Sequence, residues 1–375
     1  MMSVNILIVG DIVNTKNKES FIDTDLQELI KSQDYSVCNF EAPVQNSGLK
    51  YPKAGPSIFQ NKETIEILKK AGFDLLLLAN NHMYDYGEIG LLDTIKLAKT
   101  FNLETVGAGE NFKKAYKPLI KEINGLNICF INACEAQFGV LDDINLNQSS
   151  GYAWINHSII DQLILEYKNK VDKIIICAHA GLENYSIPLI QWKKRYRDLC
   201  DLGADCIVAS HPHVPQGYEV YNNKPIFFSL GNFYFDTESF KNTPDHSFSV
   251  ILNITKDKIS FKPVFHHKLN GKVMLTSKEK NNISFATLNP LIENENEIKK
   301  MYLEAYLKIT KQMFMSIHNS YYADTLKTLL KKTILKIFTP NIIKIRKQFL
   351  LQHLNRNETY RWVTVTAIEL LNRKK

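Results

Sequence analysis

Residues 206–214 read CIVASHPHV, a short apolar run that leads into two histidines one residue apart, His211 and His213. The run predicts a buried β-strand, because it is short and continuous and ends in polar residues and a proline. Side chains just past the carboxyl end of such a strand face the crevice where open α/β sheets bind ligands. Pro212 fixes φ between the two histidines and so stiffens the loop. The spacing therefore indicates a ligand-binding or metal-binding loop at a strand end.

Four other apolar runs, at residues 4–10, 35–40, 74–79 and 173–178, end in the same way. In chain order they are followed by Asp11, Glu41, Asn81 with His82, and His179. Carboxylate or amide oxygens combined with imidazoles suit Mn²⁺, Fe or Zn²⁺ better than metals that take only oxygen ligands. In a site with two ions, such ligands hold the metals, and the metals activate a water for attack. His82, beside Asn81, could protonate the leaving oxygen.

Each of these residues has a simpler interpretation when it is taken alone. Asp11 could cap a turn or helix, and Glu41 could be a solvated loop acid. The Asn80-Asn81 pair could be turn residues that tolerate a left-handed backbone. His82 or His179 could be a hydrogen-bonded structural imidazole. The five strand ends together, and the His211/His213 spacing above all, favour a metal site holding one or two divalent ions.

Composition places the chain among globular proteins, with 45% apolar and 23% charged residues. The net charge of +7 is uneven, because residues 291–375 hold 16 Lys and Arg against 7 Asp and Glu. The remaining 290 residues hold 30 basic and 32 acidic residues. The basic character therefore belongs to the C-terminal segment and not to the part of the chain that carries the candidate ligands.

Six cysteines without a C-x-x-C spacing, several of them in apolar runs, indicate buried thiols in a reducing compartment. The sequence shows no signal-peptide pattern and no run of about twenty apolar residues. From these features we expect a cytoplasmic protein, and a peripheral position at the inner face of the membrane is left open.

Alternating strand and helix patterns over most of the chain predict an α/β sheet sandwich. Helices are expected at residues 25–31, 62–71, 91–101, 156–167 and 187–202, and hairpins at 119–134 and 218–230. An Asn- and Glu-rich stretch at 289–297 suggests a boundary between a body of residues 1–288 and a basic helical extension of residues 289–375.

The extension has an amphipathic basic pattern over residues 326–354. One interpretation is an interfacial helix on an anionic membrane, or a helix that docks a protein partner. The other is a helix packed on the body with a solvated basic face. Aromatic residues do not alternate with Lys and Arg in a stacking pattern, so no nucleic-acid partner is expected.

Several short sequence motifs in the chain together resemble those of one family. They run in order over residues 4–236 and comprise Gly10-Asp11, Asn39-Phe40-Glu41, Ala71-Gly72-Phe73-Asp74, Ala79-Asn80-Asn81-His82, Asp85-Tyr86-Gly87, Gly107-Ala108-Gly109, His179-Ala180-Gly181-Leu182-Glu183, Gly203-Ala204-Asp205, Ser210-His211-Pro212-His213-Val214-Pro215-Gln216 and Ser229-Leu230-Gly231-Asn232-Phe233. The chain closely resembles the bacterial capsule-synthesis CapA family, also called poly-gamma-glutamate synthesis proteins, within the calcineurin-like metallophosphoesterase superfamily.

The resemblance implies a four-layer αββα sandwich with metal ions at the strand ends. It implies that Asp11, Glu41, Asn81, His179, His211 and His213 are the ligands. The superfamily's first motif is Asp-x-His, whereas here Ile12 and Val13 follow Asp11, so one imidazole of the first metal position is missing. Glu183 is a hypothetical replacement ligand or a substrate contact.

For other residues of these motifs, more than one role is compatible with the sequence. Asp85 could orient the loop after His82 or cap the next helix, and Gln216 could contact substrate or be an ordinary loop residue. Asn232 could support the His211–His213 loop through hydrogen bonds. Asn80 belongs with these as a substrate contact or supporting residue.

Two functions follow from the sequence. The first is a metal-dependent hydrolase of a phosphoester or related bond, acting on a polymer or phosphoester substrate in capsule or surface-polymer synthesis. The second is a non-catalytic binding or assembly protein that keeps the metal-binding fold inside a polymer-synthesis complex. The missing imidazole after Asp11 keeps the second open.

Overall fold

A computed structural model of the chain describes residues 3–45, 48–144, 148–237, 246–276, 282–318 and 340–373. The chain divides into two compact units. The first unit comprises Met1–Tyr51, Ser57–Glu135 and Gly139–Glu293, and the second comprises Pro52–Pro56, Ala136–Phe138 and Asn294–Lys375.

The strands of the first unit form two large sheets and one small sheet. Numbered along the described chain, they are β1 Val4–Val13, β2 Tyr35–Phe40, β3 Leu75–Leu77, β4 Glu104–Val106, β5 Ala108–Gly109, β6 Leu119–Ile123, β7 Leu126–Cys134, β8 Val140–Leu141, β9 Gly151–Ala153, β10 Lys173–His179, β11 Cys206–Ser210, β12 Tyr218–Tyr221, β13 Lys224–Phe227, β14 Asn232–Phe235, β15 His246–Ile254, β16 Ile259–Leu269 and β17 Lys272–Leu275. The first sheet has the order β17-β16-β15-β1-β2-β3-β4, with β14 also paired to β1. The second has the order β12-β13-β11-β10-β7-β6, and β5-β9-β8 form the third.

Parallel strands occupy the middle of both large sheets. Strands β1 to β4 are parallel in the first sheet, and β7, β10, β11 and β13 are parallel in the second. The two sheets share one apolar core, to which β1 and β2 contribute Ile6, Ile8 and Val37 and β10 and β11 contribute Ile175 and Val208. Because these strands are buried on both faces, they read as continuous apolar runs and not as alternating ones.

Helices connect the strands of the first unit. They are α1 Thr24–Lys31, α2 Glu63–Ala71, α3 Gly87–Thr100, α4 Phe112–Ala115, α5 Ser158–Tyr167, α6 Ile190–Leu202 and α7 Phe285–Leu291. Asp23 caps α1 by accepting a hydrogen bond from the Asp25 N–H, and the α2 helix ends at Gly72, whose φ of 101° suits a residue without a Cβ.

The C-terminal segment of the second unit, from Asn294 on, is largely helical where the structure describes it. Helix α8 (Glu295–Ala305) continues through a π-helical turn at Tyr306–Thr310 into α9 (Lys311–His318), and α10 (Pro340–Arg356) and α11 (Glu358–Asn372) follow. Within this unit Asn357 caps α11, and the Glu358 carboxylate accepts a hydrogen bond from the Ala136 N–H. Residues 326–339 of the predicted amphipathic stretch (326–354) lie outside the described residues. Among the helices that the structure describes, none is both long and apolar enough to cross a bilayer.

The predicted α/β sandwich with C-terminal helices is confirmed, and its helix ends differ by a few residues. The helix expected at 187–202 begins only at Ile190, because Pro188 disfavours helical geometry in the residue before it. The helix expected at 91–101 begins earlier, at Gly87. The short helix Phe285–Leu291 was not expected, since Pro290 lies within it. The first unit ends at Glu293, inside the stretch that suggested a boundary.

Gly10 lies where β1 meets the chain leading into β14. A Cβ at this position would lie 1.9 Å from the carbonyl oxygen of Gly231, and the next residue, Asp11, donates its N–H to that same oxygen. We therefore expect Gly10→Ala to lower the free energy of unfolding by about 3 kcal/mol, at the upper end of the range for overpacking, because the obstructing atom belongs to the backbone. Urea unfolding at constant m-value measures this change.

Gly271→Ala is the matched control. Gly271 has a positive φ of 75°, which Gly10 does not, and a Cβ there meets nothing within 4 Å. We expect this variant to lose only about 1 kcal/mol, the cost of a left-handed alanine. Equal losses in the two variants would contradict a steric role for Gly10.

Candidate metal centre

The predicted ligands converge on one place in the first unit. Asp11 lies near the end of β1, Glu41 directly follows β2, and Asn81 lies in the turn after β3. From the second sheet, His179 ends β10 and His211 follows β11. Because parallel strands of both sheets point their carboxyl ends to the same edge, ligands far apart in sequence meet there.

Glu41 is the centre of this group. Its side chain is fully buried, and no described residue donates a hydrogen bond to either of its carboxylate oxygens. Its Oε1 lies 3.8 Å from the Nε2 atoms of both His179 and His213. Burial, followed by the Asp11 carboxylate, raises the pKa of Glu41 well above its usual value. A buried carboxylate without a donor is costly, so these oxygens are suited to bind a cation.

One set of donor atoms surrounds the His179 ring nitrogen Nε2. It lies 3.1 Å from the Asn81 Oδ1 and 3.1 Å from the His211 Nδ1. Ligand atoms at about 2.1 Å from a shared ion are separated by roughly 3.0 to 3.4 Å, so this spacing fits one metal position. Burial and the neighbouring imidazoles of His211 and His213 lower the pKa of His179 well below its usual value, which keeps it neutral, the form that binds metals.

A second set surrounds Asp11 and His213. The Asp11 Oδ2 lies 3.4 Å from the His213 Nδ1 and accepts a hydrogen bond from the His211 N–H. His213 also places its Nδ1 2.9 Å from the Asn232 Oδ1, which leaves Nε2 on the side of Glu41. Asp11, Glu41 and His179 form one candidate ligand group, and Glu41, His211 and His213 form another.

The resemblance predicts a histidine two residues after Asp11, but the residue there, Val13, is apolar. Val13 is fully buried in β1 and pairs with Phe235 of β14. It offers no donor atom. The set around Asp11 and His213 therefore has one imidazole fewer than the resemblance would require, whereas the set around His179 has four donor residues.

The backbone at the two histidines is strained. His211 has φ of 103° and His213 has φ of 61°, in the region that residues with a Cβ rarely adopt. Such conformations cost about 1–3 kcal/mol each and concentrate at functional sites. The strain is consistent with a loop conformation that places the two imidazoles at the candidate site.

His82, the predicted acid, lies on the turn after β3 and is nearly buried. Its Nδ1 lies 2.7 Å from the Asp85 Oδ2, and Asp85 also accepts a hydrogen bond from the Ile58 N–H. Asp85 therefore orients His82, and helix α3 is preceded by Tyr86 without a side-chain cap.

The remaining predicted residues have defined contacts. Asn80 donates to the Phe40 carbonyl and accepts from the His82 N–H, so it fixes the turn that carries Asn81. Gln216 is buried and donates to the Tyr185 carbonyl. Glu183 is a third exposed, with its Oε1 4.0 Å from the His211 Nε2, and it belongs to neither candidate ligand group.

Sequence reasoning missed three buried residues at this edge. Asn39 donates to the Asp11 Oδ1 at 2.7 Å and lies 3.0 Å from the His179 Nδ1. Asn132 accepts from the Ala79 N–H and donates to the Cys177 carbonyl, which ties the ends of β3 and β10 together. Glu135 directly follows β7, with its Oε1 3.4 Å from the His211 Nε2. Glu135 could have been found, because it too is an acid at the end of an apolar run.

Comparison with known proteins identifies the family of this chain. The family model described as "Bacterial capsule synthesis protein PGA_cap" matches residues 6–237. The chain is 35% identical over 244 residues to "Capsule biosynthesis protein CapA" of Bacillus anthracis, covering 61% of this chain and 59% of that protein. It is 34% identical over 215 residues to "PGA biosynthesis protein CapA" of Bacillus subtilis, covering 56% of each. The match thus spans little more than half the length of these relatives.

Among solved structures, the calcineurin-like phosphoesterase YfkN from Bacillus subtilis is similar at 16% identity and a TM-score of 0.45, over 80% of this chain and 98% of that chain. The 5'-nucleotidase precursor from Thermus thermophilus is similar at 12% identity and a TM-score of 0.43, over 83% and 60%. The family assignment rests on the sequence matches, which include all six candidate ligands within residues 6–237. The chain belongs to the family of bacterial capsule synthesis proteins described as PGA_cap.

Proposed function

We propose that this protein is a metal-dependent hydrolase of the metallophosphoesterase type that acts on a phosphoester or related bond in capsule or surface-polymer synthesis. The observation that carries the proposal is Glu41, a fully buried carboxylate with no hydrogen-bond donor, set between the imidazoles of His179 and His213. A cation is the partner that such an arrangement lacks. The printed roles of the two CapA relatives in capsule and PGA biosynthesis support the pathway.

Six residues would hold the metal, namely Asp11, Glu41, Asn81, His179, His211 and His213. A bound divalent ion would supply an activated water and polarise the scissile group. We propose Mn, Fe or Zn, because imidazoles are mixed with oxygen donors. The four donors around His179 favour that position for the tighter ion.

The chain's own residues would then move the proton. His82 is held through Nδ1 by Asp85 at 2.7 Å and presents Nε2 as the group that protonates the leaving oxygen. Asn80 fixes the turn so that Asn81 and His82 keep their relative positions. Gln216 and Glu183, near the same edge, are the proposed substrate contacts.

A second candidate function is a non-catalytic role in assembling a polymer-synthesis complex. The observation that favours it is the buried Val13 at the place of the missing imidazole. In either case we propose a cytoplasmic location, which is supported by the burial of all six cysteines.

The stability of the metal-free protein should depend on pH through Glu41. The raised pKa of Glu41 means that its protonated form contributes stability that is lost as pH rises above 4.5, the ordinary value. Glu41→Gln mimics the protonated form at every pH. We expect the variant to exceed the wild type in free energy of unfolding by an amount that grows as the pH rises above 4.5. Urea unfolding in chelator at several pH values measures it.

Adding metal should reverse that order. With Mn²⁺ or Zn²⁺ at about 100 times its Kd, the wild type should gain about 2.7 kcal/mol, whereas Glu41→Gln should gain far less. A stability difference that is independent of pH, or equal stabilisation of both proteins by metal, would contradict a ligand role for Glu41.

The next prediction separates catalysis from binding. His82→Ala should lower the turnover of an aryl phosphoester with Mn²⁺ by roughly 10²- to 10⁴-fold, while its metal content stays that of the wild type. His267→Ala is the control, because His267 bonds to Thr276 and lies on β16. If the wild type binds metal and shows no turnover on any phosphoester, the assembly role replaces the hydrolase.

We also propose that the basic extension attaches the protein to an anionic membrane surface through residues 326–354. Support comes from the Lys and Arg residues of this segment, which contains no Asp or Glu, and from Leu351 of α10, which stays exposed. Vesicles containing phosphatidylglycerol should co-sediment the full chain at low salt, and neutral vesicles should not. Replacing Lys331, Lys332 and Lys336 by Glu should abolish the difference. Equal binding of the variant and the wild type would exclude an electrostatic membrane contact.

A further inference from the structure

We propose that Glu135 is a positioning residue for His211, holding its ring so that Nδ1 faces the metal position shared with Asn81 and His179. This inference rests on the proposed metal-binding function. It assigns a role to a buried acid that lies outside the six proposed ligands.

Glu135 touches both imidazole-bearing segments of the second sheet. Its backbone N–H donates to the His179 carbonyl at 3.0 Å, and its Oε1 lies 3.4 Å from the His211 Nε2. The side chain is fully buried. The backbone bond continues the pairing of β7 with β10, so the carboxylate is carried by a rigid strand end and not by a mobile loop.

The two nitrogens of His211 face different partners. Nε2 faces Glu135, and Nδ1 lies 3.1 Å from the His179 Nε2 within the donor set around that atom. An acceptor at Nε2 selects the tautomer that carries its proton there and leaves the lone pair of Nδ1 for a metal. Without Glu135, the Nε2–H tautomer of His211 would lose its nearest acceptor, because the Glu183 carboxylate is farther away.

Glu183 also approaches Nε2 but fits this role less well. Its Oε1 is at 4.0 Å, and the side chain is a third exposed to solvent. A charge in contact with water orients a neighbour weakly compared with a buried one. Because Glu135 lies on the Nε2 side, away from the donor atoms around Nδ1, the geometry makes it a support of a ligand and not a seventh ligand.

The test compares Glu135→Ala with the conservative Glu135→Gln. Loss of such a supporting carboxylate typically weakens metal affinity 10- to 100-fold. We expect this loss in Glu135→Ala and recovery of most of the affinity in Glu135→Gln, whose amide oxygen still accepts from Nε2–H. Titration of the full-length apoprotein with Co²⁺, followed by its visible absorption, reports both the affinity and the ligand geometry.

Glu104→Ala is a control for deleting a hydrogen-bonded carboxylate away from the candidate metal centre. Glu104 accepts a hydrogen bond from the Tyr35 hydroxyl and pairs with Lys121 on the amino-end side of the sheet. It should lose stability without changing the Co²⁺ affinity or spectrum. A fall in Co²⁺ affinity in Glu104→Ala equal to that in Glu135→Ala would assign the effect to general destabilisation and overturn the proposal.

A second readout needs no metal. Ring ¹⁵N shifts of His211 in the apoprotein should show the Nε2–H tautomer in the wild type and Glu135→Gln, and a mixture in Glu135→Ala. Unchanged affinity and tautomer in Glu135→Ala would overturn the role of Glu135 while leaving the metal site intact. Absence of Co²⁺ binding by the wild type would instead refute the proposed metal function, and the tautomer comparison would still decide whether Glu135 orients His211.

Discussion

Burial of the Glu41 carboxylate without a hydrogen-bond donor is the constraint on which this site depends. Moving a charged carboxylate from water into a protein interior costs several kcal/mol unless a cation or donors compensate it. Here the nearest groups are two imidazoles, both 3.8 Å away, and another carboxylate, Asp11. The arrangement is unfavourable for a metal-free protein and favourable for one that binds a divalent ion.

Neighbouring polar residues orient the side chains of the candidate site. Asn39 bonds to Asp11, Asn232 to His213, Asp85 to His82, and Glu135 faces His211. Asn132 ties the turn after β3 to β10, and Gly107 permits this because a Cβ there would lie 2.1 Å from the Asn132 Oδ1. Hydrogen bonds of this kind fix the orientation of a ligand before the metal arrives, so less ordering is needed when it binds.

The two donor sets differ in composition, and the difference bears on function. The set around His179 combines Asn81, His211 and Glu41, whereas the set around Asp11 and His213 has the buried Val13 where a further imidazole would stand. A hydrolase with one tight and one weaker ion and an assembly protein with one structural ion are both compatible with this asymmetry. Metal stoichiometry and turnover distinguish the hydrolase from the assembly protein.

The amino-acid sequence by itself determined the α/β class, the strands that carry the ligands, and the identity of the six candidate ligands. It could do so because buried parallel strands read as apolar runs and because their carboxyl ends are the place where ligands gather. Only the tertiary structure decided which donor atoms face each other. Asn39, Asn132 and Glu135 contribute through contacts between residues 28 to 140 positions apart or between the two sheets, and no local pattern encodes such contacts. Glu135 shows the reason most clearly: it follows a strand like the others, but only the pairing of β7 with β10 and of β10 with β11 brings it to His211.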